Sequence, residues 1–404
     1  MTRSAGPDVL VAGAGPVGLL AAYELARRGV AVRLVDAATG PTATSRAIAT
    51  HARTLEVYDQ LGLLDRFLAR GQVISGFSVF QGGRRLVRLE ADYRATPTRR
   101  PFTLAIEQVA TEAVLREAAA EVGVRPEWDT ALATIEQDGD TVTVGLEHAD
   151  GSRESVRVPW LVGCDGGHST VRKLLDLRLH GSSNQTWLLA DAPLAVDLPR
   201  DSIYFIRTGG ATLMAVPLRD GNRWRLLDTV DVDDGGGPRA VADRFAAKLR
   251  AGLGRDLVVG DPTWVSVFTA QQRMVSGMRT GRCLVAGDAA HVHSPASGQG
   301  MNTGLQEAYN LAWKLAMVVH GYAGPGLLDT YPQERMPVGA ALLASTERAT
   351  DLIDLHNWFA DLLLPVAMSA VRVFPPLRHR VQTKILSGIS GLALSYADSA
   401  LAAD

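Results

Sequence analysis

The chain has 404 residues, enough for two or three domains of about 150 residues each. Its 41 Lys and Arg against 43 Asp and Glu give a formal net charge of -2, which excludes the basic excess of a typical nucleic-acid-binding protein. Hydrophobic residues make up 47% and charged residues 21%, a composition typical of a folded globular protein. With only Cys164 and Cys283, a disulfide framework is excluded and a reducing compartment is favoured.

The sequence predicts neither a signal peptide nor a membrane-spanning helix. Val9–Ala22 is apolar, but it contains glycines and continues without a cleavage site into a charged helical run. The longest late apolar run, Leu362–Val371, has about half of the ~20 residues that a spanning helix needs. We therefore expect a cytoplasmic protein that does not contact a membrane.

The N-terminal segment predicts a strand, a turn, a helix and a second strand. Asp8–Ala12 is a short apolar run typical of a buried parallel strand. A helical run over Leu19–Arg28 ends at Gly29, and Val30–Val35 forms the second strand. This order is the beginning of a βαβ unit.

Later segments alternate between hairpins and helices. Phe77–Gln81 and Arg84–Glu90 flank Gly82-Gly83, which is a hairpin signal. Further strands are predicted at Ala131–Gln137, Thr141–Leu146, Val156–Cys164, Ser202–Thr208, Ala211–Leu218, Arg223–Val230, Thr263–Gln271 and Arg282–Asp288. Helices are predicted at His51–Leu61, Glu107–Glu121, Pro238–Ala251 and Asn302–Val319, and through the remaining chain with a break at Pro375-Pro376.

These elements predict an α/β fold, in which a Rossmann-like nucleotide-binding domain is interrupted by an antiparallel sheet domain. We assign residues 1–75, 101–175 and 276–345 to the nucleotide-binding domain. Residues 76–100 and 176–275 form the sheet domain, and residues 346–404 form a C-terminal helical segment.

The turn after the first strand carries a G-x-G-x-x-G motif, Gly13-Ala14-Gly15-Pro16-Val17-Gly18. Its first glycine permits the tight turn, the second lets a pyrophosphate approach the backbone, and the third lets the helix pack closely on the sheet. The helix N-terminus offers N–H groups to the phosphates, and Asp36 ends the second strand where it can accept from ribose hydroxyls. The motif predicts dinucleotide binding; the alternative is a glycine-rich turn in an ordinary α/β fold.

A second motif, Gly163–Arg172, follows another predicted strand. Asp165 and two glycines end the strand, and a helix begins near Ser169, where Ser169 or Thr170 is a suitable N-cap. Taken alone, this motif is better explained as a capped surface turn.

The third motif runs from Gly287 to Asn302. Asp288 lies at the carboxyl end of a strand, where open α/β sheets bind ligands, and its carboxylate can accept from a polyol chain. Gly298 and Gly300 bring the backbone close to a flat ring, and the N–H groups of Gly300, Met301 and Asn302 would face an anionic ring edge. The alternative is a glycine-rich loop that closes a helix.

Together and in this order, the three motifs resemble the flavin-dependent aromatic hydroxylases, the group A flavoprotein monooxygenases with the p-hydroxybenzoate hydroxylase fold. The resemblance extends from residue 8 to about residue 350. Ser45–Ala47, His51–Glu56 and Asn302–Leu315 are most similar to hydroxylases that modify aromatic polyketides.

The resemblance implies that FAD is the cofactor and that NAD(P)H and O₂ are co-substrates. In this family NAD(P)H reduces the flavin, O₂ forms a C4a-hydroperoxide, and one oxygen passes to an electron-rich ring. The single nucleotide fingerprint agrees with transient docking of NAD(P)H. The residues that the resemblance assigns to FAD are Gly13, Ala14, Gly15, Pro16, Val17, Gly18, Asp36, Arg46, Gln108, Asp165, Asp288, Pro295, Gly298, Gly300, Met301 and Asn302, with Asp165 linked to NAD(P)H as well.

One face of the antiparallel sheet should cover the flavin and line an apolar cavity for a flat aromatic substrate. Tyr204, Met214 and Trp224 are the candidate substrate residues, and the sequence places no catalytic base. His291 and His293 lie two residues apart on a loop without further ligands, so we expect no metal site.

Two departures from the family are visible. Ser297 stands where the family usually has a glycine, and the chain ends at Asp404, near the expected start of a linker to a thioredoxin-like domain in larger relatives. The chain is either a short natural version or a truncated piece.

Three alternative functions remain open: Baeyer–Villiger oxygen insertion, a flavin reductase without oxygen transfer, and a non-catalytic binder such as the prenyl-protein escort factors. The complete third motif argues against the binder. The residues do not distinguish NADH from NADPH, and an oligomer remains open.

Overall fold

The structure is a computed structural model that describes residues 6–45, 47–90, 98–208, 211–293, 298–353 and 358–402. Its α-helices are α1 (Pro16–Ala26), α2 (Ala52–Gln60), α3 (Leu64–Leu68), α4 (Gln108–Glu121), α5 (Thr170–Leu174), α6 (Gly237–Leu253), α7 (Gly300–Val319), α8 (Thr330–Ile353), α9 (Trp358–Val373) and α10 (Pro375–Ser390). Its strands are β1 (Val9–Ala12), β2 (Val32–Val35), β3 (Ala49–Thr50), β4 (Gln72–Ile74), β5 (Gly76–Gln81), β6 (Arg84–Glu90), β7 (Thr103–Ala105), β8 (Thr130–Gln137), β9 (Val142–His148), β10 (Arg153–Val158), β11 (Trp160–Gly163), β12 (Leu179–Ala195), β13 (Ser202–Thr208), β14 (Ala211–Pro217), β15 (Arg223–Asp228), β16 (Val258–Val259), β17 (Trp264–Val275), β18 (Arg279–Thr280), β19 (Cys283–Val285) and β20 (His291–Val292).

The first sheet has the strand order β18-β19-β11-β1-β2. β1 pairs in parallel with both β2 and β11, and β11 pairs in parallel with β19. All four residues of β1 are buried, as expected for a parallel strand covered on both faces. The carboxyl ends of β1, β11 and β19 therefore meet at one edge of the sheet.

The large second sheet has the order β20-β17-β12-β15-β14-β13-β5-β6, with β16 paired to β12. Neighbouring strands pair antiparallel except β13 and β5, which are parallel. These two strands come from distant parts of the chain, so no tight hairpin joins them. The predicted mixed fold, an α/β domain interrupted by this sheet, is confirmed.

One predicted strand needs correction, and one long strand was not predicted. Val156–Cys164 is two strands, because Pro159 separates β10, which pairs with β9, from β11, which pairs with β1. Proline lacks the N–H that a ladder needs, so the chain changes sheets there. The 17-residue strand β12 was not predicted, although it lies at the centre of the large sheet.

The large sheet packs differently on its two faces. Helix α6 covers one face, where Phe245 and Leu249 pack against Tyr204 and Trp224. The opposite face carries a separate apolar cluster that includes Trp187 and is contacted by Met214. Tyr204 and Met214 lie on neighbouring strands but on opposite faces, since side chains alternate along each strand.

The C-terminal helices cover the edge of the large sheet. Val371 and Met368 of α9 and Val381 of α10 pack against Val87 and Leu89 of β6. Covering an edge strand protects its unpaired backbone groups from pairing with another chain. Within the part of the chain that the structure describes, no helix is long and apolar enough to cross a membrane. The domain boundaries stay a prediction.

A buried ion pair fixes α8 against α7. Lys314 Nζ lies 2.7 Å from Glu334 Oε2, and the side chains are 0% and 4% exposed. Asn310 donates to the same carboxylate at 2.6 Å, and the Ser399 hydroxyl donates to its other oxygen at 2.8 Å. Glu334 therefore joins α7, α8 and the C-terminal tail.

We expect Glu334→Ala to lower the free energy of unfolding by about 3–5 kcal/mol, because it leaves the Lys314 ammonium buried without a partner. Denaturant unfolding near neutral pH measures the change. The control is Glu121→Ala, which removes an exposed partner of Arg66 and should leave the unfolding midpoint nearly unchanged. Equal midpoint shifts in the two variants would contradict the assignment of a buried pair.

Candidate active site

The first and second motifs meet through their backbones. Gly13 ends β1 with a φ of +101°, and a Cβ there would lie 2.4 Å from the carbonyl oxygen of Cys164. A Cβ at Gly18 would lie 1.8 Å from the carbonyl oxygen of Gly13. Only glycine fits at either position, so the glycine spacing holds α1 against β1 and β11.

The third motif packs against the first one. Cβ atoms built at Gly287 and Gly304 would lie 2.8 and 2.7 Å from Cγ2 of Val17, so these glycines let α1 and α7 approach closely. Arg172 of α5 donates to the carbonyl oxygens of Gly167 at 2.8 Å and of Ala289 at 3.2 Å, which links the second motif to the third. The three motifs therefore converge at one edge of the parallel sheet.

A backbone cradle lies at the start of α1. A Cβ at Gly15 would meet nothing within 4 Å, unlike the Cβ atoms at Gly13 and Gly18. Helix α1 begins at Pro16 without a side-chain cap, so its first N–H groups have no acceptor within the helix. Open space above these N–H groups fits a pyrophosphate.

Asp36 lies beside this cradle, as the motif predicts. Its Oδ2 accepts from the backbone N–H of Ala14 at 2.6 Å, and its Oδ1 accepts from that of Ala38 at 2.8 Å. Each carboxylate oxygen has a second lone pair, so the contacts that hold the turn leave capacity for ribose hydroxyls.

Helix α4 begins near the same edge. The N–H of Gln108 donates to the Ser45 hydroxyl at 2.7 Å, and its side-chain amide donates to Glu112 at 2.9 Å. Burial raises the pKa of Glu112 to about 6, although the hydrogen bond from Gln108 opposes the shift. Arg46, the other predicted contact in this part of the chain, lies outside the described residues.

Asp165 caps a helix. Its carboxylate accepts from the Ser169 hydroxyl and from the N–H groups of Thr170 at 2.7 Å and Val171 at 3.0 Å. Ser169 is the N-cap of α5 and accepts from the N–H of Arg172 at 2.9 Å. The capped turn expected from the motif is present, and a contact of Asp165 with a nucleotide stays a prediction.

The start of α7 is held in place by Asn302. Its Oδ1 accepts from the N–H of His51 at 2.9 Å, and its Nδ2 donates to the carbonyl oxygens of Ala49 and Gly298, both at 2.8 Å. Gly298 has a φ of +62°, and a Cβ there would lie 2.9 Å from Cβ of Ala49. These contacts fix the first turn of α7, whose N–H groups have no acceptor within the helix, in one orientation.

The structure describes some of the remaining residues of the third motif and not others. Asp288 is exposed just after β19, at the carboxyl edge of the parallel sheet, and Gly300 and Met301 begin α7. Pro295 and Ser297 lie outside the described residues.

The candidate substrate residues divide between the two faces of the large sheet. Tyr204 and Trp224 are 1% exposed and lie on the face that α6 covers. They do not line the cavity that the structure shows on the other face. Met214 does line it, together with Trp187, Phe205, Thr212, Leu227 and Thr229.

Sequence reasoning did not predict the role of Glu307. This fully buried residue of α7 accepts from the N–H of Gly287 at 2.9 Å and contacts His291. Its separation of two helical turns from Gly300 is the signal that places it on the same side of α7. Within the described ranges, no three His, Cys, Asp or Glu side chains are grouped so that they could hold a metal ion.

The family model for an FAD-binding domain matches residues 7–346 of the chain. The chain belongs to this family of FAD-dependent monooxygenases.

Among curated relatives of this monooxygenase is a 6-methylpretetramide 4-monooxygenase from Streptomyces rimosus. The two are 54% identical over 396 residues, which are 98% of this chain and 71% of the relative. The solved structure of CabE, an aromatic hydroxylase from angucycline biosynthesis, is 34% identical, with a TM-score of 0.76 over 96% of this chain and 77% of that one. PieE, a flavin-dependent monooxygenase solved with FAD and substrate, is 26% identical, with a TM-score of 0.77 over 95% and 72%.

We expect Gly15→Val to weaken FAD binding at least about tenfold, because the side chain would occupy the space of the pyrophosphate. The extended backbone at Gly15 accepts valine, so the variant should fold. Flavin absorbance after dialysis measures the bound FAD. Gly277→Val is the control, since a Cβ at Gly277 also meets nothing within 4 Å but lies outside all three motifs. Full FAD content in Gly15→Val would contradict the placement.

Proposed function

We propose that this monooxygenase uses NAD(P)H and O₂ to hydroxylate a ring of a polycyclic aromatic polyketide. Support comes from the relatives, which include a 6-methylpretetramide monooxygenase and an aromatic hydroxylase from angucycline biosynthesis. The single observation that carries the proposal is the convergence of the three motifs at one edge of the parallel sheet.

In this proposal the chain holds FAD along the edge where the motifs meet. The N-terminus of α1 binds the pyrophosphate, Asp36 and Asp288 accept from ribose and ribityl hydroxyls, and the first turn of α7 binds the polar edge of the flavin ring. Bound FAD supplies the exchange of electrons with NAD(P)H and the activation of O₂.

The cavity is connected to the start of α7 through a short chain of contacts. Met214 lines the cavity and packs in the same cluster as Ile48. Ile48 precedes Ala49, whose carbonyl oxygen accepts from Asn302. A substrate in the cavity would therefore lie on the side of the sheet that faces the proposed ring site.

Two polar atoms in the cavity wall support an oxygen-bearing aromatic substrate. Trp187 Nε1 and Thr229 Oγ1 are buried without a hydrogen-bond partner among the described residues. Buried polar groups are normally hydrogen-bonded, so an unpartnered donor in a cavity wall indicates a ligand that supplies the acceptor. A phenol or quinone oxygen on a flat apolar ring system has this chemistry.

The function is tested by following NADPH or NADH oxidation, O₂ uptake and peroxide release together, with a panel of polycyclic phenols. We expect a substrate that stimulates NAD(P)H oxidation with little peroxide and gains one oxygen on a ring carbon. Insertion of oxygen beside a carbonyl would support a Baeyer–Villiger reaction instead. Oxidation that continues anaerobically with another acceptor and no oxygenated product would support a reductase.

We expect Trp187→Phe and Thr229→Val each to raise the KM of the stimulating substrate about tenfold, because each removes a hydrogen bond worth about 1.4 kcal/mol. Thr229→Val preserves shape, and Trp187→Phe keeps an aromatic ring while it removes the Nε1 donor; neither residue belongs to the three motifs, so FAD content should not change. Thr186→Val, which alters a Thr186–Thr269 contact on the same sheet, is the control. Unchanged KM values in both cavity variants would place the substrate elsewhere.

A further inference from the structure

A chain of three side chains runs from the interior to the first turn of α7. Glu307 Oε1 lies 2.5 Å from His291 Nε2, and His291 Nδ1 lies 2.6 Å from His293 Nε2. Glu307 and His291 are fully buried. We call these residues the Glu307–His291–His293 chain.

The outer end of the chain is an unpartnered nitrogen. His293 Nδ1 is buried and has no hydrogen-bond partner among the described residues. The ring lies beside the start of α7, since a Cβ at Gly300 would lie 3.9 Å from His293 Cδ2. Buried polar atoms are normally hydrogen-bonded, so this nitrogen is available to a polar group of a ligand at the start of α7.

The hydrogen bonds allow two proton arrangements. In the first, the Nε2–H of His291 donates to Glu307, the Nε2–H of His293 donates to His291 Nδ1, and His293 Nδ1 is an acceptor. A proton that binds His293 Nδ1 lets the Nε2 proton of this ring pass to His291 Nδ1. His291 then becomes an imidazolium paired with Glu307, and His293 Nδ1 becomes a donor.

The surroundings favour the charge on His291. Burial alone would lower the pKa of His291, but the Glu307 carboxylate outweighs it and raises this pKa, with a smaller contribution from Asp288 and opposition from Arg335. Burial lowers the pKa of His293 well below its usual value, and His291 lowers it further.

Two further titratable groups near Glu307, Tyr331 and Cys164, stay neutral. Burial raises the pKa of the Tyr331 hydroxyl and of the Cys164 thiol. The Glu307 carboxylate raises both further, and for Cys164 the Asp165 carboxylate contributes more than Glu307 does. Neither group therefore carries a charge that would alter the pairing of His291 with Glu307.

We infer that the Glu307–His291–His293 chain is a proton relay. In this relay His293 exchanges a proton with the polar edge of the flavin. Glu307 and His291 position His293, and His291 carries the positive charge as an imidazolium paired with Glu307. The inference rests on the proposed function, because it requires the flavin ring at the start of α7. Reduction adds negative charge to the ring, so a nitrogen that changes from acceptor to donor stabilises the reduced state.

The first test is the reduction potential of bound FAD, measured against pH with a reference dye in the full chain. If the relay binds its proton more tightly when the flavin is reduced, the slope of potential against pH changes where the relay titrates. We expect this change of slope in the unmodified enzyme. His293→Phe and Glu307→Gln should both lose it, because either substitution interrupts the chain.

The control is His148→Phe, which removes a histidine that lies 3.3 Å from Glu154 on the three-stranded sheet of β8, β9 and β10. This variant should keep the change of slope. A purely structural role for His293 would lower FAD content or thermal stability but leave the slope intact. Retention of the slope change in FAD-loaded His293→Phe would overturn the inference.

A second test uses the FAD-free protein and so does not depend on cofactor binding or on folding of Glu307→Gln. Nitrogen NMR of labelled histidines, nine in the chain, reports which ring nitrogens carry protons. Resonances that disappear in His293→Phe are assigned to His293, and we expect them to report a neutral ring. The buried His291 ring should stay doubly protonated at pH values above the usual histidine pKa of about 6.5. A charged His293, or two rings that titrate independently, would contradict the relay.

The two tests separate this inference from the proposed function. If the unmodified protein binds no FAD, the proposed function fails. The NMR result still decides how protons are distributed in the Glu307–His291–His293 chain. If FAD binds and no variant alters the slope, the relay fails while the monooxygenase assignment stands.

Discussion

The close approach of three backbone segments determines how this molecule is built. Gly13 contacts Cys164, and Val17 contacts Gly287 and Gly304, at distances where any side chain on these glycines would clash. The Gly13 contact is with the backbone of Cys164, so a change of rotamer cannot relieve it, and the Val17 contacts are with a β-branched side chain whose rotamers are restricted. The requirement for close approach positions two helix N-termini, those of α1 and α7, at one edge of the parallel sheet, which is where the proposed function places FAD.

Buried polar groups form hydrogen bonds between the segments that the glycines bring close together. The Arg172 guanidinium bonds to carbonyl oxygens of the second and third motifs, and Asn302 bonds to His51, Ala49 and Gly298. Glu307 holds the N–H of Gly287 with one oxygen and His291 with the other. Each of these groups joins segments that are distant in sequence, and each would be costly to leave unpaired in the interior. The site is therefore preorganised by the same interactions that stabilise the fold.

The two faces of the large sheet pack against different surroundings. One face forms an ordinary core with α6, and Tyr204 and Trp224 belong to it. The other face carries the cavity, with Trp187 and Thr229 as unpartnered polar atoms in an apolar wall. Adjacent residues such as Tyr204 and Phe205 thus have different surroundings, because the pleat directs them to opposite sides.

The sequence alone determined the features that depend on local chemistry. The glycine spacing of the first motif, the N-cap of α5 and the helix-terminating Gly29 each act within a few residues, so their patterns predict the local structure directly. Only the tertiary structure decided which face of the large sheet lines the cavity, that Pro159 divides one apolar run between two sheets, and that Glu307 joins His291 and His293. These outcomes depend on pairing between distant segments. A period-2 pattern of apolar and polar residues predicts that the two faces of a strand differ, but it does not predict which element packs on each face.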